Sequence, residues 1–417
     1  MRWWAALGIA WASSLLLGAP SLADETTSLE TLREERSEEL QRYFVRTLTQ
    51  KRLNIAVEFL EEGHYAEAHE KLARLNFPRL NPYERAIAYR FLAYAAIGRE
   101  DSAAAIGYFE KVVEQQILLI DDEASVRFNI AQLYASVEEW EKVDETLREW
   151  FRYVERPNPV AYYLLAISRY QREQYEEALA PALKAVELST RPRERWLQLV
   201  AALHLTREDF DSAVPILEKL VIHFPKKQYW VQLSLIYAVR GDYQYALRVQ
   251  QLAYTQGLLT KDDELRRLAR SYLFENLPYP AAHVVERGLE EGRIEADREA
   301  LELLGNSWIA ARDYEKSIEP LQQAADLAED GRLYLRLGQV RVQRENWKEA
   351  TALIQKALEK GGLKDTGKAQ LLLGISYYSD DRRELARTAF RRAMKHESTQ
   401  TEANAWLEHI ARQSQEG

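Results

Sequence analysis

A small side chain returns every 33 to 38 residues along this sequence, at Ala68, Ala105, Val143, Ala178, Ala213, Ala246, Ala281, Ser317, Ala350 and Ala386. Upstream of these markers stand pairs such as Leu165-Ala166, Leu304-Gly305, Leu337-Gly338 and Leu373-Gly374, and a large residue such as Tyr134, Tyr237, Trp308 or Tyr377 follows. A period of about 20–50 residues signals stacked repeats rather than one folded core. Within each copy the apolar positions recur at three and four residues, and strand-like alternation is nowhere sustained, so each copy reads as two helices. One such hairpin cannot bury its apolar stripe alone, which means the copies must stack.

Local chemistry marks the joints. Turns carry Gly-Asp, Glu-Asp or Arg-Asp pairs before an aromatic. Asn81-Pro82, Asn158-Pro159 and Phe224-Pro225 each end one helix before the next begins, because proline lacks the donor and disfavours helix in the residue before it. Gly361-Gly362 stops another. These signals divide the chain into a leader at 1–23, a polar Glu- and Arg-rich segment at 24–48 that turns helical from Ser28, an array at 49–400, and a terminal helix and tail at 401–417. In that last helix Trp406 and Ile410 are expected to face inward and cap the stack.

The leader reads as an export signal. Arg2 gives a positive start, residues 3–17 are apolar, and Ser21-Leu22-Ala23 offers small residues for cleavage after Ala23. The apolar run is shorter than the roughly 20 residues a membrane span needs. The mature chain is therefore expected in the periplasm with no membrane span of its own, and the absence of cysteine fits an oxidising compartment. A net charge of −9 argues against nucleic acid, whose binding releases counterions from a basic surface.

Residues able to do chemistry do not converge in the sequence. No two of the seven histidines have the i, i+4 spacing of a helical zinc site, no glycine loop suits a phosphate, and there is no thiol nucleophile. No enzyme activity, metal or cofactor is expected. The basic run Arg382, Arg383, Arg387, Arg391, Arg392 and Lys395 reads as a solvated face paired with Asp380, Asp381 and Glu384.

The repeat pattern resembles the tetratricopeptide repeat, in which a large residue, Leu-Gly or Leu-Ala, Tyr, and later Ala, Phe and Ala follow at set offsets. The resemblance implies an all-α, right-handed α-solenoid of about ten helix-turn-helix repeats with a C-terminal capping helix. It also implies that the first helix of each hairpin lines a concave groove that binds protein or peptide partners. On that face the sequence places Phe128, Gln132, Tyr163, Ile167, Tyr170, Leu197, Val231 and Leu235, with Gln171 beside them. Packing between neighbouring first helices is the competing explanation for part of this track. The Lys and Asn with which some members of the family grip a C-terminal carboxylate have no counterpart in repeats three to six.

From Lys226 to Ala393 the chain further resembles the exported tetratricopeptide proteins that accompany the TonB system of Gram-negative bacteria. The residues that carry this are "FPKKQYWVQLSLIYAVRGDYQYALRVQQLAYTQGLLTKDDELRRLARSYL", "HVVERGLEEGRIE", "DGRLYLRLGQV" and "ALEKGGLKDTGKAQLLLGISYY". The linker "QGLLTK" exceeds what the repeat itself requires. This resemblance implies a non-enzymatic scaffold with TonB, ExbB or ExbD as partners. The other reading is a general envelope scaffold for secretion, outer-membrane assembly or cell-wall synthesis.

Overall fold

A computed structural model describes residues 28–416, with side chains placed as far as Gln413. The expected signal peptide and its cleavage site lie outside the described residues. Among the described residues the chain forms 22 α-helices, two short 3-10 turns and no strand. It divides into two compact units, one ending at Asp209 and the other beginning at Phe210.

The first unit holds α1 (Leu29–Leu40), α2 (Thr47–Glu61), α3 (Tyr65–Ala73), α4 (Pro82–Gly98), α5 (Ser102–Glu114), α6 (Ile120–Ser136), α7 (Trp140–Phe151), α8 (Pro159–Gln171), α9 (Tyr175–Glu187) and α10 (Glu194–Thr206). The second holds α11 (Phe210–His223), α12 (Lys227–Val239), α13 (Tyr243–Thr255), α14 (Asp262–Phe274), α15 (Pro278–Glu290), α16 (Arg298–Ala310), α17 (Tyr314–Leu327), α18 (Arg332–Gln343), α19 (Trp347–Lys360), α20 (Thr366–Ser379), α21 (Arg383–Ala393) and α22 (Gln400–Glu416). In each unit successive helices pack as antiparallel pairs, and each pair packs on the next, which is the all-α solenoid arrangement.

The markers that set the period have one structural place. Each is the fourth residue of α3, α5, α7, α9, α11, α13, α15, α17, α19 or α21, and all ten are buried. Their small side chains let a neighbouring helix cross closely. In the second unit the facing residue is often smaller still. A Cβ built on Gly305 would stand 2.4 Å from Leu321, and one on Gly374 would stand 2.5 Å from the Phe390 ring.

A left-handed residue stands two places before each of these ten helices, with φ between 54° and 82°. The N–H of the residue after it bonds the carbonyl five residues back, as in Asp242 to Tyr237 at 2.8 Å and Glu139 to Tyr134 at 3.0 Å. This closure satisfies carbonyls that the ending helix would otherwise leave bare. Only Gly63 and Gly241 take the conformation freely; Glu, Asn, Arg or Asp fills the other eight positions at a cost of about 1 kcal/mol each.

Caps fix the other joints. Asn81 and Glu84 form a reciprocal capping box at the start of α4, with Pro82 at its first position. Asn158 accepts from Val160 N at 2.9 Å before α8, and Ser28 from Thr31 N at 3.1 Å before α1. At the other end of the chain α22 buries Ile410 and stacks Trp406 on Phe390 at 5.5 Å. It covers the apolar face that α20 and α21 would otherwise expose. No helix among the described residues is long and apolar enough to cross a membrane.

Candidate interaction site

In the first unit the expected first-helix track is largely used up by packing. Phe128 lies against Trp150 at 5.3 Å, and Gln132 beside it is exposed. Tyr163 stacks on Trp196 at 5.3 Å, with the Arg193 guanidinium 4.4 Å from the Trp196 ring centre. Burial raises the pKa of the Tyr163 hydroxyl. Tyr170 meets Tyr175 edge-on at 5.5 Å, and Ile167 is half-buried. Leu197 does not belong on an open face: it is 1% exposed, because α10 buries residues on nearly every side, including Trp196, Leu199, Val200 and Leu203.

Charged groups complete this unit. α1 buries no residue of its own. Besides Leu40, which packs partly buried on the core, ion pairs hold it, from Arg33 to Asp121 at 2.8 Å, Arg33 to Glu155 at 2.7 Å and Arg36 to Glu123 at 3.1 Å. Glu84 is fully buried at the start of α4, where desolvation alone would raise its pKa. Hydrogen bonds from the Arg46 side chain and backbone, Asn81 N and Thr49 overcome that and hold it at about 2. This carboxylate ties the segment before α2 to α4, through contacts that include Arg46 Nη2 at 2.6 Å and Arg46 N at 2.9 Å.

The second unit differs. Of the 21 large hydrophobic side chains exposed among the described residues, ten fall between 222 and 279, so the bare apolar surface is concentrated rather than scattered. Val231 and Leu235 are 39% and 59% exposed there, and Val239 extends the row at 56%. Four-residue spacing puts the three on one side of α12. The sequence reading stopped at Leu235, although the same spacing leads to Val239.

Beside this row α12, α13 and α14 enclose a pocket of about 300 Å³. Trp230, Leu235, Ala238, Ala253 and Leu259 supply its apolar lining. Ser234 also lines it, but its hydroxyl is occupied, donating to Ala246 O at 3.2 Å and accepting from Gln250 Nε2 at 2.9 Å. Trp230 Nε1 and Gln250 Oε1 are sealed from solvent and have no hydrogen-bond partner in the protein. An unpaired buried polar atom costs about 1–3 kcal/mol, so two together in an apolar setting are a marked departure from ordinary packing.

The residues that exceeded the repeat pattern meet at this pocket. Glu264 on α14 pairs with Lys227 from "FPKK" and accepts from Thr260 N and Lys261 N of "QGLLTK" at 3.1 Å each. Leu259 of the same linker is buried in the lining. Against desolvation, which alone would raise it, these donors lower the Glu264 pKa and keep the carboxylate charged.

No group of three or more His, Asp or Glu side chains with the makings of a metal site occurs among the described residues. Five of the histidines have identifiable polar neighbours, His64 with Glu62, His69 with Tyr108, His204 with Asp209, His283 with Glu286 and His409 with Tyr378.

Among curated proteins no relative matches this chain. Several solved structures share a loose likeness. MamA from Desulfovibrio magneticus RS-1 is 23% identical with a TM-score of 0.31, over 41% of this chain and 97% of that one. The TPR2AB domain of yeast Sti1, in complex with an HSP90 peptide, is 12% identical with a TM-score of 0.34, over 63% and 99%. A tetratricopeptide repeat protein from Parabacteroides merdae is 16% identical with a TM-score of 0.31, over 61% and 98%. The sequence model of the tetratricopeptide repeat matches at 53–118, spanning α3 to α5, and at 335–399, spanning α19 to α21. The chain is thus an all-helical repeat protein with one stretch in each of its two units that matches the tetratricopeptide repeat.

Proposed function

We propose that this chain is a non-enzymatic periplasmic adaptor, an accessory component of the TonB–ExbB–ExbD system, that holds a protein partner on the second unit. The observation that carries the binding role is the bare row Val231, Leu235 and Val239 on α12, within the stretch 222–279 that holds ten of the 21 exposed large hydrophobic side chains among the described residues. Proteins that act as tetratricopeptide scaffolds bind protein or peptide partners, which agrees with such a row. The periplasmic site rests on the export signal read from residues 1–23, and the TonB assignment on the resemblance across 226–393, above all on "FPKK" and "QGLLTK".

A photo-crosslinking residue in place of Leu235, in the full chain expressed in its native envelope, tests the reading. Adducts containing TonB, ExbB or ExbD peptides are expected. Adducts made only with other envelope proteins would overturn the TonB assignment and favour the general envelope scaffold. An absence of adducts at Leu235, with adducts at an exposed position in the first unit such as Gln132, would move the binding face away from α12.

A further inference from the structure

The first hairpin of the array, α2 and α3, carries a mixed apolar and cationic surface that packing does not use. We propose that this surface docks on an anionic phospholipid membrane, with α2 lying along the headgroup layer and Phe44, Leu48 and Ile55 entering it.

Sequence and structure agree on where the surface lies. From Leu40 to Val57 the chain has four cations, Arg42, Arg46, Lys51 and Arg52, and no Asp or Glu, in a protein whose net charge is −9. Arg46 is spent on the buried Glu84, and the other three are exposed. On α2, Leu48, Lys51, Arg52 and Ile55 recur at three and four residues and so share one side of the helix. The residues that α2 buries are Thr49, Leu53 and Ala56, so the shared side is not its packing side. Phe44, Leu48 and Ile55 are 74%, 66% and 45% exposed, and Phe44 is the barest of the 21 large hydrophobic side chains exposed among the described residues.

A second helix adds to the charge. Lys71 and Arg74 of α3 join Arg52 and Ile55 of α2 around a pocket of about 190 Å³. Arg74 pairs with Glu70, while Arg52 and Lys71 have no ion-pair partner among the described residues. Like charges around one hollow repel, and a phosphate group offers each of them an acceptor oxygen.

The apolar residues decide what carries the phosphate. They project singly between the cations, so a rigid partner would have to supply a separate recess for each, whereas the boundary between headgroups and acyl chains closes around all of them. Lys51 and Arg52 beside Leu48 and Ile55 set their charges at headgroup level with their stems over the apolar layer. Leu48 to Ile55 covers about 10 Å of helix, which lays two turns in the plane. The acidity of the whole chain does not oppose this, because screening limits the reach of each charge to about 8 Å at physiological salt. The other end of the array shows what solubility alone needs: there α22 turns Trp406 and Ile410 inward and leaves mainly polar residues outside.

The test uses the chain from Asp24, which keeps every described residue and leaves out the apolar leader. Because the chain has no cysteine, Leu48→Cys accepts a single environment-sensitive fluorophore. Vesicles of phosphatidylglycerol and phosphatidylcholine should blue-shift its emission, and a lipid-borne quencher should reach it; the same label in Leu235→Cys should not respond. In flotation the chain should bind these vesicles about tenfold or more tighter than phosphatidylcholine alone. Lys51→Ala with Arg52→Ala should weaken this about 25-fold, near fivefold for each cation, with an unchanged urea midpoint, and high salt should do the same to the parent chain. Phe44→Ser with Leu48→Ser should weaken it about tenfold or more while the salt dependence remains. Equal binding to both kinds of vesicle, or a label at Leu235 that responds as strongly as one at Leu48, would overturn the patch. Release from vesicles by inorganic phosphate, beyond that by sodium chloride of equal ionic strength, would overturn the membrane in favour of a soluble anion. If no vesicle is bound, the inference fails, in favour of an acidic protein where a photo-crosslinker at Leu48 captures one; the binding role of α12 stands either way.

Discussion

At matching places in two repeats the chain carries opposite surface chemistry. Counting back from Val143 and Ala246, Phe128, Gln132 and Ser136 on α6 stand where Val231, Leu235 and Val239 stand on α12. On α6 the aromatic is packed on Trp150, the next residue is polar, and the third turns its hydroxyl to Leu133 O at 2.7 Å. On α12 all three are aliphatic and exposed. Nothing in the backbone separates the two cases, since both helices end in the same left-handed closure. What differs is the side chains themselves: on α6 the aromatic is packed and the two exposed places are polar, whereas on α12 all three places carry exposed aliphatic residues. The first unit adds polar ties such as Glu84 with Arg46 and the ion-paired α1; the second leaves an exposed apolar surface.

The largest expected effect tests whether the units are independent. Phe109 in the first and Phe390 in the second are both fully buried. Truncating either to Ala should cost about 3–5 kcal/mol, felt mainly in its own unit because stability in a repeat stack is close to a sum of local terms. Hydrogen exchange should show α4 to α7 losing protection in Phe109→Ala and α20 to α22 in Phe390→Ala. Uniform loss along the whole chain in either variant would mean one cooperative body.

Next comes the polar tie of the first unit. Glu84→Gln should lower stability by about 2 kcal/mol, since the Arg46 donors lose a charged acceptor while Arg46 itself remains half-exposed. The pH dependence has a fixed sign. The folded carboxyl sits at about 2, below its ordinary value near 4.5, so its contribution is complete above about pH 4.5 and fades as pH falls towards 2. Urea titrations at pH 7 and pH 3 should differ less for Glu84→Gln than for the parent chain. An equal difference would show that this carboxyl does not contribute to acid sensitivity.

The fold was readable because packing in a repeat is local. One small residue per copy and the proline joints are demands that neighbouring helices make on the sequence itself, and the structure places Ala68 through Ala386 at one buried position. The site was less readable, because exposure depends on what lies across the gap. Counted back from Ala213, Leu197 stands where α12 carries Trp230, one place before Val231, and both are buried, while Val231 itself is open. The stacking of Tyr163 on Trp196 and the isolation of Trp230 Nε1 arise between helices more than 20 residues apart or from three elements at once, and no periodicity encodes them.

A smaller effect tests how closely the helices cross. The first unit has Ala93, Ala131 and Ala166 where the second has Gly305, Gly338 and Gly374. Gly374→Ala should gain about 1 kcal/mol of helix propensity and lose more to the Phe390 ring 2.5 Å from the new Cβ, for a net loss of about 1–2 kcal/mol. Ala166→Gly should lose only about 1 kcal/mol, because a helix interior there already accommodates the methyl group. A stabilised Gly374→Ala would mean that Phe390 has room to retreat. Smaller still in global stability is the double change of Arg33→Ala with Arg36→Ala. It should release α1, seen as lost exchange protection over Leu29–Leu40, with the urea midpoint of the rest of the unit unchanged. Raising salt should mimic it, since screening weakens exposed ion pairs.

The smallest expected effect on stability belongs to the residue with the largest expected role in binding. Leu235 is 59% exposed, so Leu235→Ser removes little buried area and should change stability by less than about 0.5 kcal/mol. Capture of the partner should nevertheless fall, because a hydroxyl in the middle of the row breaks the apolar contact and cannot be paired by Val231 or Val239. The control is Gln132→Ser at the matching place on α6, where the first unit presents a polar side chain already and neither stability nor capture should change. Thermal melts and pull-down from the native envelope read the two quantities separately. If Leu235→Ser unfolds the second unit, the row is part of its packing; if both variants leave capture intact, the apolar surface of α12 is incidental and the contrast between the units carries no function.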